Sequence, residues 1–136
     1  MFRTRRDILI ANRAVRENDR IMLLFRIAAA LCFLAVALGA FGAHSLKTLL
    51  TANDTLEIWE TAVLYHLAHG VALVALALHG AANRGACYLL VAGVVIFSGS
   101  LYLLALTNVR WLGAITPIGG LCFLAGWAWL IFSPPR

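Results

Sequence analysis

Four apolar stretches follow one another along the chain, separated by short polar connections. Each stretch holds about 20 residues, the length at which a helix rising about 1.5 Å per residue crosses the roughly 30 Å hydrocarbon core of a bilayer. The pattern therefore predicts an all-α protein, an integral membrane bundle of four transmembrane helices. The predicted spans cover about residues 23–43, 59–79, 86–106 and 112–132.

The composition agrees with lipid as the main solvent of the chain. Hydrophobic residues make up 62% and charged residues 12% of the 136 positions, whereas a soluble domain carries about 25% charged residues. The three cysteines form no C-x-x-C pair and no zinc spacing, so a disulfide framework is not expected. We predict one transmembrane domain at residues 22–136, preceded by a basic N-terminal extension at residues 1–21.

Positive charge is concentrated at the N-terminal end of the chain, whose net charge is +5. The basic residues that precede the first span or lie at its start are Arg3, Arg5, Arg6, Arg13, Arg16, Arg20 and Arg26. Basic residues beside a first span keep that end in the cytoplasm, and four spans return the chain to the same side. Both termini are therefore predicted to be cytoplasmic, in a multi-pass protein of the bacterial cytoplasmic (inner) membrane. The same clustering argues against a nucleic-acid-binding surface, so no nucleic acid partner is expected.

The extension at residues 1–21 allows more than one structure. A flexible cytoplasmic tail is favoured, and a short interfacial helix around residues 8–15 is the alternative. Met22 stands directly before the first span and is an alternative start of translation, in which case the extension is dispensable. A signal peptide is a further alternative, because Ala35-Val36-Ala37 resembles a cleavage site, although the apolar run is long for one.

Local patterns on the outer, extracytoplasmic side refine the spans. Trp59 opens the second span and is predicted to anchor it at the membrane interface. Residues 44–58, between the first two spans, carry several leucines and are expected to lie on the bilayer surface. Thr116 followed by Pro117 is typical of an N-cap and a first helical position. The regular part of the last helix is therefore expected from Pro117, after an irregular segment at residues 112–115.

Polar residues of separate spans fall at a similar depth. Counting about 1.5 Å per residue from the outer end, His66 lies about 10 Å deep, Ser98 about 12 Å and Thr116 about 6 Å. We expect these residues to form one polar cluster in the outer half of the bundle, because an unsatisfied polar group in hydrocarbon costs several kcal/mol. The predicted members are His44, Tyr65, His66, His69, Ser98, Ser100, Tyr102 and Thr116.

The cluster has two interpretations. In the first, its hydroxyls and imidazoles hydrogen-bond across helices and fix their register, at roughly 0.6 kcal/mol per bond. In the second, it is a pocket for an ion, a proton or a small molecule, because intramembrane ionisable residues often mark such sites. The structural interpretation is favoured.

Metal binding and catalysis have less support from the sequence. His66 and His69 are three residues apart and can share a helix face, while Cys32, His69 and Cys122 fall at similar depth and would suit copper or zinc. The spacing matches no dedicated metal motif, so no metal and no other cofactor is predicted. No H-E-x-x-H, G-x-S-x-G or phosphate-binding glycine loop occurs, and no catalytic residue is assigned.

Glycines within the spans are predicted to allow close helix packing, because the missing side chain lets another helix approach. They are Gly39, Gly42, Gly99, Gly119, Gly120 and Gly126. Such faces also suit contacts with other membrane proteins. Besides the lipid bilayer, a second copy of the chain or a partner within a membrane complex is therefore expected.

Five motifs occur in an order that resembles a known family. They are Gly39-Ala40-Phe41-Gly42-Ala43-His44, Trp59-x-Thr61-Ala62-x-x-Tyr65-His66, Phe97-Ser98-Gly99-Ser100-Leu101-Tyr102, Thr116-Pro117-Ile118-Gly119-Gly120 and Gly126-Trp127. Over roughly residues 23–131 the chain resembles the YgdD/YwdK family of small bacterial inner-membrane proteins of unassigned function, which has eukaryotic relatives. The resemblance implies a small helical membrane protein of about four spans and implies no catalytic mechanism.

The functional expectation follows from the short loops and the helix faces of the predicted bundle. Its short loops and glycine-rich faces favour a non-catalytic scaffold or an accessory subunit of a membrane complex. The alternative is an oligomeric channel, transporter or metal-binding protein that uses the polar cluster. An enzyme is not expected.

Overall fold

The computed structural model describes residues 5–80 and 83–133. Its helices are α1 (Arg5–Ala43), α2 (Lys47–Ala52), α3 (Leu56–His79), α4 (Arg84–Gly93), α5 (Gly99–Thr107) and α6 (Thr116–Phe132), with a π-helical segment at Val94–Ser98 and a 3₁₀ turn at Arg110–Ala114. Helices α4 and α5 and the π-helical segment form one continuous third span. Four helices of the described chain are long and apolar enough to cross a membrane: Ile8–Ala43, Leu56–His79, Arg84–Thr107 and Arg110–Phe132. The predicted all-α architecture of four spans is confirmed.

Helix α1 is longer than its predicted span and includes most of the N-terminal extension. Its 39 residues are continuous from Arg5, so the expectation of a flexible tail is wrong for the described residues of that segment. At about 1.5 Å per residue the helix is about 58 Å long, well above the roughly 30 Å hydrocarbon core. The basic half of α1 therefore projects beyond the hydrocarbon as a direct continuation of the first span.

The spans pack as two pairs. Helix α1 lies along α3, and α6 lies along α4 and the π-helical segment, while α3 joins the two pairs by packing on the π-helical segment and α5. The larger buried cluster consists of Ala28, Leu73, Cys87, Leu90, Val94 and Phe123. A smaller cluster of Leu50, Trp59 and Ala105 lies at the outer end. The two clusters give the bundle an apolar core on both sides of the polar residues.

Trp59 is part of the core and is not an interfacial anchor. Its side chain is 2% exposed, its ring packs edge-on against Tyr102 with centroids 4.7 Å apart, and its Nε1 donates to the carbonyl of Leu38 at 3.1 Å. A Cβ at Gly42 would overlap the indole ring. The predicted interfacial role is wrong, because a glycine on α1 opens a slot that buries the ring between helices.

The outer connection is bound to the bundle more closely than the sequence suggests. It contains the short helix α2, from which Leu50 is fully buried. The carbonyl of Ala105, one of the last four in α5 and therefore without a helical partner, accepts from Asn53 Nδ2 at 3.1 Å and from Thr55 Oγ1 at 2.9 Å. These bonds hold the connection over the end of the third span.

Four of the six predicted packing glycines lie at close helix contacts. A Cβ at Gly119 would overlap the backbone of Phe97, and one at Gly126 would lie 2.9 Å from Leu90 Cδ2. Gly39 lies close to Val63, with 3.3 Å between its ideal Cβ and Cγ1, and the fourth, Gly42, faces Trp59.

The other two glycines differ from the prediction. A Cβ at Gly99 would meet no atom of the described chain within 4 Å, and one at Gly120 would make only ordinary contacts, the nearest at 3.9 Å. Gly99 is therefore not a packing residue within the chain. It lies on a helix face that no neighbouring span covers.

The last helix begins as predicted to within one residue, after the 3₁₀ turn. The N-cap position is Ile115, however, and no side chain caps the helix. Thr116 is the first residue of α6, and its hydroxyl bonds to another span, so its predicted N-cap role is wrong. Pro117 follows within the first turn, where its missing N–H costs no helical hydrogen bond.

Candidate functional site

His66 and Tyr102 form a polar contact between the second and third spans. The Nδ1 of His66 on α3 lies 3.3 Å from the hydroxyl of Tyr102 on α5, and the histidine is 5% exposed. Tyr102 also supports the ring of Trp59, so one side chain contacts two residues of α3. The pair fixes the position of α5 against α3.

His69 lies one turn farther along α3 and bonds through both ring nitrogens. Its Nδ1 lies 2.8 Å from the carbonyl oxygen of Tyr65, which can only accept, so Nδ1 carries the proton. Its Nε2 is then the acceptor for the indole N–H of Trp127 on α6, at 3.2 Å. The imidazole also stacks on Phe123 with centroids 3.6 Å apart. His69 is thus a neutral, fully bonded side chain in the contact between α3 and α6.

Ser100 and Thr116 connect the third span to α6. The Ser100 hydroxyl donates to the carbonyl of Phe97 at 2.9 Å. Since a hydroxyl has one proton, the 2.8 Å contact between Ser100 Oγ and Thr116 Oγ1 has Thr116 as its donor. Both hydroxyls are buried. This contact lies next to the close approach of Gly119 to Phe97 and holds the same two helices together.

Two buried polar atoms have no partner among the described residues. They are the Nε2 of His66 and the Oγ of Ser98, which belongs to a fully buried side chain. Ser98 is the last residue of the π-helical segment, and such segments often occur at functional sites. Ser98 and Tyr102 are four residues apart, so they share one face of the span. These two atoms form the unsatisfied portion of the polar cluster.

Not every predicted member of the cluster lies with the others. His44 is exposed beyond the end of α1. Tyr65 is 40% exposed, and its ring packs on Phe97 with centroids 4.5 Å apart. The members that bond between spans are His66 with Tyr102, and Ser100 with Thr116. His69 bonds to a residue outside the predicted set.

The histidines and cysteines considered as weak metal candidates do not come together in a metal site among the described residues. Within residues 5–80 and 83–133, no group of three His, Cys, Asp or Glu side chains is arranged to hold a metal ion, so the combination of Cys32, His69 and Cys122 is not assembled. The Sγ of Cys32 packs against Gly70, 3.0 Å from the position of a Cβ there. The Nε2 of His69, the nitrogen a metal would need, already accepts from Trp127.

Sequence reasoning missed the aromatic partners of the cluster. Trp127 and Phe123 both contact His69, yet in the sequence they look like ordinary apolar residues of the last span. The one available signal is helical spacing, because residues four apart lie on the same face of α6. An indole N–H also needs an acceptor when it is buried, which makes a tryptophan within a span a candidate partner for a histidine.

Comparison with known proteins identifies similar sequences. Residues 38–120 match the family described as protein of unknown function DUF423. A UPF0382 membrane protein of Staphylococcus haemolyticus is 50% identical over 117 residues, which cover 82% of this chain and 95% of that protein. The UPF0382 membrane protein YwdK of Bacillus subtilis is 42% identical over 106 residues, 74% of this chain and 85% of that protein. No solved structure matches the chain significantly.

Proposed function

Because the chain belongs to the YwdK-type membrane protein family DUF423, we propose that it is a non-catalytic component of the bacterial inner membrane, acting as a scaffold or as an accessory subunit of a membrane complex. The observation that supports this proposal is how the buried polar groups are used. In each of three contacts they join two spans: His66 with Tyr102, His69 with Trp127, and Ser100 with Thr116.

These contacts are typical of a structural role. Interhelical hydrogen bonds in membranes contribute roughly 0.6 kcal/mol each, so together they favour one register of the helices. Ser100, the serine with a defined hydrogen-bond geometry, donates to a helix carbonyl and accepts from Thr116. Its hydroxyl therefore has no base to activate it as a nucleophile. A bundle whose buried hydroxyls and imidazoles join helices suits a protein that supports other proteins.

The surface available to a partner is the apolar outside of the spans. The described connections between spans are short, which leaves little water-exposed surface for recognition on the outer side. Gly99 lies on this outside, and a small residue on a helix face lets a second helix approach closely. A second copy of the chain or another membrane protein is the expected partner.

Native mass measurement tests this proposal. The full chain is extracted from its own membrane in a mild detergent, and the masses of the released species are determined. The expected result is a species heavier than one chain plus bound detergent, made of several copies or of this chain with another protein. A strictly monomeric species without a partner would overturn the proposal.

A second candidate function rests on the two unpartnered atoms. The Nε2 of His66 and the Oγ of Ser98 are buried polar groups that a transported proton, ion or small molecule could bind. The test is ion flux through liposomes containing the protein, together with binding of Zn²⁺ and Cu⁺. The His66→Ala variant is compared with His79→Ala, which changes an exposed histidine at the other end of α3. Equal flux and equal binding in parent, variant and control would reject a transport or metal-binding role.

A further inference from the structure

A groove lies between α1 and the neighbouring ends of α3 and α4, on the side of the membrane that holds the basic residues. Helix α3 ends at His79, and α4 begins at Arg84 behind the N-cap Asn83, whose side chain accepts from the N–H of Gly85 at 3.0 Å. The long helix α1 passes in front of these two helix ends. The groove therefore has one wall from the first span and its extension, and one from the second and third spans.

The section of the groove nearest the water, called the basic section here, is strongly basic. It is lined by Leu9, Arg13, Arg16, Glu17, Arg20 and Arg84. Glu17 accepts a hydrogen bond from the Arg84 guanidinium and forms an ion pair with it. The remaining three arginines give this section a surplus of positive charge, and the ion pair holds the Arg84 side chain over the groove.

The section of the groove that lies deeper in the membrane, called the apolar section here, continues from the basic section without a break. Both sections share Glu17, Arg20 and Arg84. Below them the walls consist mainly of apolar side chains, among them Leu24, Ile27, Leu76 and Tyr88. Since the first span begins at about residue 23, these side chains lie at the level of the acyl-chain segments next to the lipid headgroups.

Tyr88 indicates the depth of the groove independently. Its side chain is 63% exposed although it lies within the third span, and tyrosines with one apolar and one wet end concentrate at the membrane–water interface. Tyr88 lies a single helical turn below Arg84 and lines the apolar section. The arginines above it are therefore at headgroup level, and the leucines and isoleucine are at acyl level.

We propose that this groove binds one anionic phospholipid, whose phosphate contacts Arg16, Arg20 and Arg84 and whose acyl chain follows Leu24 and Leu76. Guanidinium groups bind phosphate oxygens through paired hydrogen bonds, and basic pockets between spans on the cytoplasmic side are suited to acidic headgroups. A soluble phosphate would match only the basic section. A lipid matches the basic and the apolar sections at their actual depths.

The site does not depend on the scaffold or subunit role, because its walls come from one chain. It assigns a function to the basic half of α1, which contributes no residue to the polar contacts of the candidate functional site. In this role the extension is the headgroup-binding wall of a lipid site, held in place by the Glu17–Arg84 ion pair.

Lipid titration of the full chain in detergent tests the proposal, with dioleoylphosphatidylglycerol compared with dioleoylphosphatidylcholine. Native mass spectra should show one phosphatidylglycerol retained per chain, bound at least about tenfold more tightly than phosphatidylcholine, because each arginine near a negative headgroup contributes roughly a fivefold factor. The Arg16→Gln/Arg20→Gln variant should bind it roughly thirtyfold more weakly. Both side chains are exposed, so the fold should be unaffected.

The control variant removes the same charge from the opposite side of the membrane. Lys47→Gln/Arg110→Gln changes two exposed basic residues and should leave phosphatidylglycerol binding unchanged. Equal weakening in both double variants would overturn the proposal, because it would mean that net charge and not the groove attracts the lipid. Equal binding of the two lipids by the parent protein would overturn it as well.

A third arm separates a lipid from a free phosphate. Leu23 lines the apolar section and is exposed, so Leu23→Trp should obstruct the acyl path and weaken phosphatidylglycerol binding while the arginines stay intact. Inorganic phosphate in excess should not displace the lipid. Displacement by inorganic phosphate, together with unchanged lipid binding by Leu23→Trp, would make this a site for a soluble anion and overturn the lipid proposal.

Discussion

The indole nitrogen of Trp127 lies 3.2 Å from the Nε2 of His69, and this contact fixes which ring nitrogen carries the proton. The other nitrogen faces the Tyr65 carbonyl at 2.8 Å, so the neutral ring with its proton on Nδ1 satisfies both partners. A protonated ring would present an N–H to the N–H of Trp127. The hydrogen bonds around His69 therefore stabilise the neutral form of its ring.

The Trp127→Phe substitution should destabilise the protein by about 0.6 to 2 kcal/mol, because it removes the bond to His69 and leaves its Nε2 without a donor. The free energy of unfolding in mixed micelles measures the change. Trp129→Phe is the matched control: its exposure of 45% is close to the 41% of Trp127, but its indole N–H bonds to none of the described residues, so the loss should be smaller. Equal losses in both variants would show that ring size, not the hydrogen bond, matters at residue 127.

Gly119→Ala and Gly99→Ala should have opposite effects on stability. The added methyl at Gly119 would overlap the backbone of Phe97, which cannot move aside as a flexible side chain can, whereas at Gly99 it would meet nothing within 4 Å. Gly119→Ala should lower the free energy of unfolding by about 1 to 3 kcal/mol. Gly99→Ala should leave it unchanged or raise it by up to about 1 kcal/mol, since alanine is the better helix former.

The free energy of unfolding of both variants is measured in lipid nanodiscs that hold one chain each. Contacts between copies are then excluded, so the measurement reports on the contact between the third span and α6. Destabilisation by Gly99→Ala in such single-chain nanodiscs would contradict the open face at that position. The same result for the two glycines would contradict the assignment of only one of them to helix packing.

A double-mutant cycle should detect coupling between Ser100 and Thr116. The bond between their hydroxyls contributes about 0.6 kcal/mol and less than about 2 kcal/mol on the scale of interhelical hydrogen bonds in membranes. Ser100→Ala, Thr116→Val and the combined variant give this coupling from their free energies of unfolding. Ser100→Ala combined with Trp127→Phe is the control, because those residues belong to separate contacts and their effects should add.

Acid should weaken the contact between the α1 extension and α4. The hydrogen bond from Arg84 lowers the pKa of Glu17 below its ordinary value of 4.5, so the folded protein favours the ionised form. The stabilisation by this contact is then fully present above the ordinary value and is lost as the pH falls through the lowered pKa. The carbon-13 chemical shift of the Glu17 carboxyl should titrate with a midpoint below 4.5, and Arg84→Gln should raise that midpoint.

The four spans were predictable because the hydropathy and length of a helix indicate whether it lies in lipid or in water, and neither depends on its neighbours. The extension was not, since the arginines that made it look like a tail are compatible with a helix that leaves the membrane. Trp59 shows a related limit: a tryptophan near the end of a span has the same local sequence whether it faces headgroups or a glycine slot on another helix. Such differences depend on the partner.

The depth of the polar residues could be predicted from the sequence, but their contacts could be predicted only in part. Counting residues along each span assigned these side chains to one outer half of the membrane, because axial rise is nearly constant, and the structure joins His66 with Tyr102 and Ser100 with Thr116. It did not assign faces, so His44 was included and Trp127 was left out. The π-helical segment adds to this difficulty, since it changes the face on which later residues of the third span lie.

The π-helical segment determines how the third span tolerates the loss of a residue. A π-helical turn contains one more residue than the α-helical turn it replaces, so removal of a single residue within Val94–Ser98 would restore a regular helix and rotate α5 by about 100° relative to α4. Cys87 and Leu90 would keep their neighbours, while Tyr102 and Ala105 would turn away from His66 and from the outer connection. The third span is thus two half-helices whose relative orientation is set by one extra amino acid.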